Sequence, residues 1–229
     1  PEAAAWTFVE AGNLYWHAGE LVRAAVIYGE ALRWLPDYPS ALVGRARISL
    51  AQAQPERAVS DLQKSLQQKP LVETAWLLGD ALAALGDPQG ASANYALAEK
   101  IGRRGDPMML ATYLAATGGD ANEALRLLDA ESRKRSNIYL DDARAWALYR
   151  LARYPQAQVA SDRALRLGTP DARLLFHAGA IRLALGDKAQ GLQQLRQALA
   201  LNPGFDMAAA AQARVLIADA GPTLAETAR

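Results

Sequence analysis

Residues 24–36 read AAVIYGEALRWLP, and residues 191–203, far along the chain, read GLQQLRQALALNP. Each stretch opens on a small residue, carries an apolar or aromatic residue after it, has a second small residue seven places on, then leucine, and closes on proline. The phrase occurs four more times, with the leucine and the closing proline not always kept, as Ala58–Pro70 (AVSDLQKSLQQKP), Ala91–Arg103, Ala124–Ser136 and Ala157–Thr169. Successive starts lie 34, 33, 33, 33 and 34 residues apart. A fixed period of this length is the mark of stacked supersecondary units that bury their apolar faces against one another.

A second phrase precedes each of the first, with a small residue, then glycine or alanine seven positions later. The pairs are Gly12 and Gly19, Ala46 and Ala53, Gly79 and Gly86, Thr112 and Gly119, Ala145 and Ala152, Gly179 and Gly186. Apolar residues inside both phrases recur three or four apart, which is helical spacing. The later glycine or alanine falls where a turn must separate two helices. Each repeat therefore reads as a helical hairpin. Prolines agree with this, because proline inside a helix costs about 3 kcal/mol. Pro55, Pro88, Pro107 and Pro155 fall at predicted helix starts, where the missing N–H does no harm. Pro36, Pro39, Pro70, Pro170 and Pro203 are placed between hairpins.

The small residues have a packing reason, since bulky side chains would hold two crossing helices apart. The first helices present Gly12, Ala46, Gly79, Thr112, Ala145 and Gly179. The second helices present Ala24, Ala58, Ala91, Ala124, Ala157 and Gly191, then Ala31, Ser65, Ala98, Glu131, Ala164 and Ala198. Glu131, just ahead of Arg133, Lys134 and Arg135, is the one large residue among them. The period, the paired glycines, the alanines and the closing proline over about residues 5 to 205 resemble the tetratricopeptide repeat (TPR). Its aromatic signature early in the first helix is weak here, the place being held by Phe8, Leu42, Ala75, Met108, Asp141 and Leu175.

The resemblance implies an all-α, right-handed superhelical solenoid of about six hairpins, at residues 5–38, 39–71, 72–104, 105–137, 138–171 and 172–205. A C-terminal capping helix over 206–219 is expected to cover the last hairpin, with 220–229 as a tail or the start of a further element. Thr223 and Glu226 have capping-box spacing. Pro1 sits where a preceding repeat would close, so a segment of a longer array is expected.

The resemblance also implies that first helices line a concave groove, chiefly through one stripe of residues three or four apart. On that stripe the candidate binding residues are Trp6, Asn13, Trp16, Arg47, Trp76, Asp80, Tyr113, Tyr139, Asp142, Trp146, Tyr149 and Phe176. Large aromatics interleaved with a few polar groups suit an extended peptide or a glycan. Adjacent first helices also touch, so the same aromatics serve equally well as packing residues. The family's carboxylate clamp for chaperone C-termini matches at Asn13, but Val9, Gly44, Glu73 and Leu77 stand at its other places in the first three repeats.

Composition bounds the remaining classes. There are 25 basic and 24 acidic residues, so the net field favours neither nucleic acid nor an anionic membrane. No apolar run approaches the roughly 20 residues a membrane span needs. Cysteine is absent, which removes disulfides, thiolate metal sites and a cysteine nucleophile, and leaves the bacterial cytoplasm and the periplasm or exterior both open. His17 and His177 fall on different hairpins, so no two-histidine metal site or histidine relay is expected. Asp141 and Asp142 are neighbours on a helix, face different ways and read as a helix start. The Arg133–Arg135 run reads as a solvated helix end. No phosphate-cradling glycine loop is present. The expectation is a non-catalytic scaffold without metal or cofactor that holds a protein or peptide partner. The alternative is an assembly or export module of a cell-envelope polysaccharide system.

Overall fold

In the computed structural model, which describes residues 1–220, the hairpins turn on residues held in the left-handed backbone region. Gly19, Gly86 and Gly186 have φ of 74°, 77° and 86°, while Ala53 and Ala152 occupy the same place at 55°. Glycine takes this conformation freely, whereas a β-carbon strains it. In the fourth hairpin the left-handed residue is Gly118, φ 82°, rather than Gly119, and Asp120 caps α8 two places on.

Thirteen α-helices result, with no strand among the described residues. They pair as α1 (Glu2–His17) with α2 (Leu21–Trp34), α3 (Pro39–Ala51) with α4 (Pro55–Gln68), and α5 (Val72–Ala84) with α6 (Pro88–Gly105). Then follow α7 (Pro107–Thr117) and α8 (Ala121–Ser132), α9 (Ile138–Arg150) and α10 (Tyr154–Ala164), and α11 (Ala172–Ala184) and α12 (Lys188–Leu201). The last helix is α13 (Met207–Ala220). The 220–229 tail, with the Thr223–Glu226 capping box, lies outside the described residues apart from Ala220.

Termini of these helices follow local chemistry. Asp87, Asp120 and Asp187 accept hydrogen bonds from N–H groups in the first turns of α6, α8 and α12, and Asp106, Asn137, Asp171 and Asp206 do so for α7, α9, α11 and α13. Each such cap contributes on the order of 1 kcal/mol. Pro39, expected between hairpins, is instead the first residue of α3, where it lacks nothing a helix needs. Helix α6 runs on to Gly105, leaving Asp106 alone before α7. Helix α10 tightens into a 3-10 turn at Leu165–Leu167 that ends on Gly168, φ 62°.

The chain groups into two compact units, Pro1–Tyr113 and Leu114 onward. Within the first, α1 packs on α2 and α3, α3 on α4 and α5, and α5 on α6. Its core includes a cluster around Val9, Trp16, Tyr28 and Ile48 and another around Val43, Leu62 and Leu78. In the second, α9 packs on α8, α10 and α11, and α13 rests against α11 and α12. Its core includes clusters that centre on Leu148 with Ile181, and on Ile138 with Leu174.

The crossing positions behave as steric economy requires. Every one is buried except Thr112, and Ala24, Ala31, Ala46, Ala58, Ala98, Ala124, Ala145, Ala157, Ala198 and Ser65 are wholly so. The large exception, Glu131, is buried too, because its carboxylate turns back to Lys134 Nζ at 2.8 Å and to Arg135 at 3.1 Å. Those contacts, led by the Lys134 hydrogen bond, hold its carboxyl below the usual range.

Candidate functional site

In the first compact unit the polar stripe residues are built into hairpin interiors. Tyr28 of α2 is fully buried, its ring lying where a β-carbon at Gly12 or at Gly44 would come within 2.6 Å or 2.4 Å. Its hydroxyl donates to Asn13 Oδ1 at 2.8 Å. Burial pushes that phenol up to about 12, with the neighbouring Arg47 opposing the rise. Arg47 of α3 in turn donates to Glu73 of α5. Two hairpins on, Tyr95 repeats the device: its ring fills the space a β-carbon on Gly79 would take at 2.4 Å, and its hydroxyl donates to Asp80 Oδ1 at 2.8 Å. Burial, then the hydrogen bond to Asp80, raises its pKa as well.

Trp76 stands one turn before Asp80 on α5 and is half-buried. Its ring meets Tyr113 edge-on, centroids 5.4 Å apart at 78°. Tyr113 is buried and also touches Tyr95, at 6.5 Å. Trp16 is 7% exposed and belongs to the first core cluster, whereas Trp6 on the same helix is 57% exposed.

The second unit carries a denser aromatic cluster. Trp146 of α9 is buried between two parallel rings, His177 of α11 at 4.2 Å and 16° and Tyr149 at 4.5 Å and 8°. Phe176, 1% exposed, lies 5.3 Å from Trp146 and reaches Phe205 at 5.9 Å. Asp142 is buried and accepts His177 Nδ1 at 2.8 Å, its other oxygen facing Arg173 at 3.7 Å. The Arg173 guanidinium stands 6.0 Å over the Tyr139 ring. Tyr139 and Tyr149 remain half-buried, and burial raises both phenols.

Of the twelve sequence candidates, then, Trp16, Tyr113, Asp142, Trp146 and Phe176 are buried within their own units. Trp6, Asn13, Arg47, Trp76, Asp80, Tyr139 and Tyr149 keep accessible surface. Tyr28, Tyr95, Arg173 and His177 are members that stripe spacing alone missed. The two tyrosines had a signal: each stands four residues after the phrase-opening alanine, in repeats whose first-helix crossing is glycine. Arg173 and His177 had none, being off the stripe and joined to it only by the approach of α11 to α9.

Chemically, these surfaces offer aromatic faces beside hydrogen-bonding groups. Among the described residues no three His, Asp or Glu side chains are gathered to hold a metal, and no helix is long and apolar enough to cross a membrane.

No protein-family profile matches the chain, and no curated protein matches it in sequence. Solved structures do match. The chain is similar to one from the APC/C hetero-tetramer Cut9–Hcn1, with a TM-score of 0.54 and 19% identity over 95% of this chain and 43% of that one. It is equally similar to a tetratricopeptide repeat protein from Parabacteroides merdae, with a TM-score of 0.54 and 18% identity over 93% of this chain and 84% of that one. It thus spans less than half the length of the Cut9–Hcn1 chain. Six two-helix hairpins on a period of 33 or 34 residues, closing on small residues, and these structural likenesses together give the chain the tetratricopeptide-repeat fold.

Proposed function

We propose that the chain is a protein-interaction scaffold whose first-helix faces hold an extended segment of a partner. The observation that carries this is the arrangement of aromatics in two tiers. Half-buried Trp76, Tyr139 and Tyr149 keep an open face, while buried Tyr113 and Trp146 lie against Trp76 and Tyr149 and hold those rings in place. A ring fixed before binding loses little freedom on contact, so its buried area converts efficiently into affinity. Asp80, Arg47 and Asn13 on the same first-helix stripe of the first unit keep accessible surface and supply polar groups.

A peptide selected on the protein from a random display library is the direct probe. Trp76→Ala and Tyr149→Ala are expected to weaken it by about 1–2 kcal/mol, roughly five- to thirty-fold, with helicity by circular dichroism unchanged. Unchanged affinity in both variants sinks the reading. Tight binding of a neutral oligosaccharide, with no peptide selected, would instead favour the polysaccharide-export class.

A further inference from the structure

Four arginines of the fourth and fifth hairpins have no place in the aromatic surfaces, yet they converge. A cleft of about 450 Å³ opens between the end of α8, the start of α9 and the end of α10, lined by Arg135, Arg144, Arg163 and Arg166 around a single carboxylate, Asp141. Three separate elements deliver these side chains: the turn after α8, the first half of α9, and α10 with its 3-10 extension. Asp141 accepts from Arg166 at 2.7 Å and faces Arg163 Nε at 3.3 Å. Arg144 is paired with Asp129, and Glu131 holds Lys134 and Arg135. The four arginines of the recess thus share three carboxylates, one of which, Glu131, also holds Lys134, so positive charge is in excess there. Burial, and then the charge of Arg163, holds the Arg144 guanidinium below its ordinary value, as expected of like charges pressed together.

From this convergence we infer that the cleft binds an acidic segment of a partner protein, through at least two Asp or Glu carboxylates seated on Arg135, Arg144 and Arg166. Guanidinium forks match carboxylates two hydrogen bonds at a time, which lysines do not. The excess positive charge of the recess favours carboxylates over neutral side chains. The cleft has room for side chains from more than one residue, and Leu128 and Leu140 in its lining offer apolar contact to their methylenes. The protein as a whole carries only a formal +1 charge, so any preference for acidic ligands must come from such local clustering. This inference rests on the scaffold reading only in taking the occupant to be protein.

The test is fluorescence anisotropy with a labelled peptide of alternating Asp and Glu, beside the same peptide with Asn and Gln, titrated into the whole chain. The acidic peptide is expected to bind and the amide peptide not, with affinity falling as sodium chloride is raised. Arg135→Gln with Arg144→Gln should weaken it about tenfold or more, as loss of charge-assisted pairs does. That double variant should leave the display-selected groove peptide bound as before. Arg135→Gln alone, at a half-exposed helix end, keeps the test open should the double variant fold poorly; a loss of at least threefold is expected. Equal binding of both peptides, or no loss in either variant, overturns the inference. So does loss in Trp76→Ala instead, which would put the acidic peptide on the aromatic face and leave the scaffold reading standing. Inorganic phosphate binding at matched ionic strength, with the peptide no tighter, also overturns it.

Discussion

Gly44 and Gly29 are both helical glycines, on α3 and α2, and replacing each with alanine separates two effects of opposite sign. Alanine is favoured over glycine in a helix interior by about 0.8–1 kcal/mol. At Gly29 nothing lies within 4 Å of the new β-carbon, so Gly29→Ala should gain close to that amount. At Gly44 the β-carbon would stand 2.4 Å from Tyr28 Cε1, 2.5 Å from Cζ and 2.6 Å from Cδ1. Ordinary carbon contacts need about 3.5–4 Å, so the ring must withdraw by about 1 Å. It has little freedom to do so, because Gly12 crowds it too and its hydroxyl is tied to Asn13. Overpacking of this kind costs about 1–3 kcal/mol, and a doubly confined ring belongs near the upper end. Net of the helical gain, Gly44→Ala should lose about 1–2 kcal/mol, placing the two variants roughly 2–3 kcal/mol apart. Urea unfolding followed by far-ultraviolet circular dichroism measures this, with all variants compared at one temperature. A Gly44→Ala protein at least as stable as its parent would refute the account of Tyr28 as a ring locked between two glycines.

Three further outcomes follow from the same physics. Ala53→Gly and Ala152→Gly relieve a left-handed φ of 55° and should each stabilise by about 1 kcal/mol, read as a higher urea midpoint; a lower midpoint in both would count against strain at these turns. Tyr28 ionises near 10 when unfolded but only at about 12 when folded, so its neutral form contributes fully below pH 10 and that contribution fades between pH 10 and 12. About 2–3 kcal/mol of stability should go over that interval, and a Tyr28→Phe protein with an equally steep alkaline loss would contradict the assignment. Asp142→Ala strips the buried partner from His177 Nδ1 and the facing charge from Arg173, so about 2–3 kcal/mol of stability should be lost; a loss below about 0.5 kcal/mol would show the pair to be dispensable.

The hairpins were legible because their constraints are local and steric. A small residue at a crossing and a proline at a helix start are demanded by hard contacts, and the positions named from spacing are the ones the helices close upon. The reading slipped by one position in the fourth hairpin, where Gly118 rather than Gly119 is left-handed, and at α6, which continues to Gly105. Glu131 stood out as the one large crossing residue, but only the structure shows it buried and held by the two cations that follow. For the candidate surface, spacing located the stripe and could not give depth. Trp146 and Trp76 both lie on the stripe, yet Trp146 is covered by His177 from the next first helix while Trp76 keeps an open face. Depth depends on what a residue dozens of positions away brings over, which no single-repeat pattern encodes.

Tyr28 and Tyr95 belong to second helices, but their hydroxyls end on Asn13 and Asp80 of first helices. A ligand donor that takes Oδ1 of either residue from outside therefore shares an acceptor with the interior of the hairpin. Occupancy and hairpin closure become one linked equilibrium, in which the ligand loosens the tyrosine by as much as the tyrosine opposes the ligand. The signature would be faster amide exchange in α2 or α6 on binding, far from any residue the ligand touches.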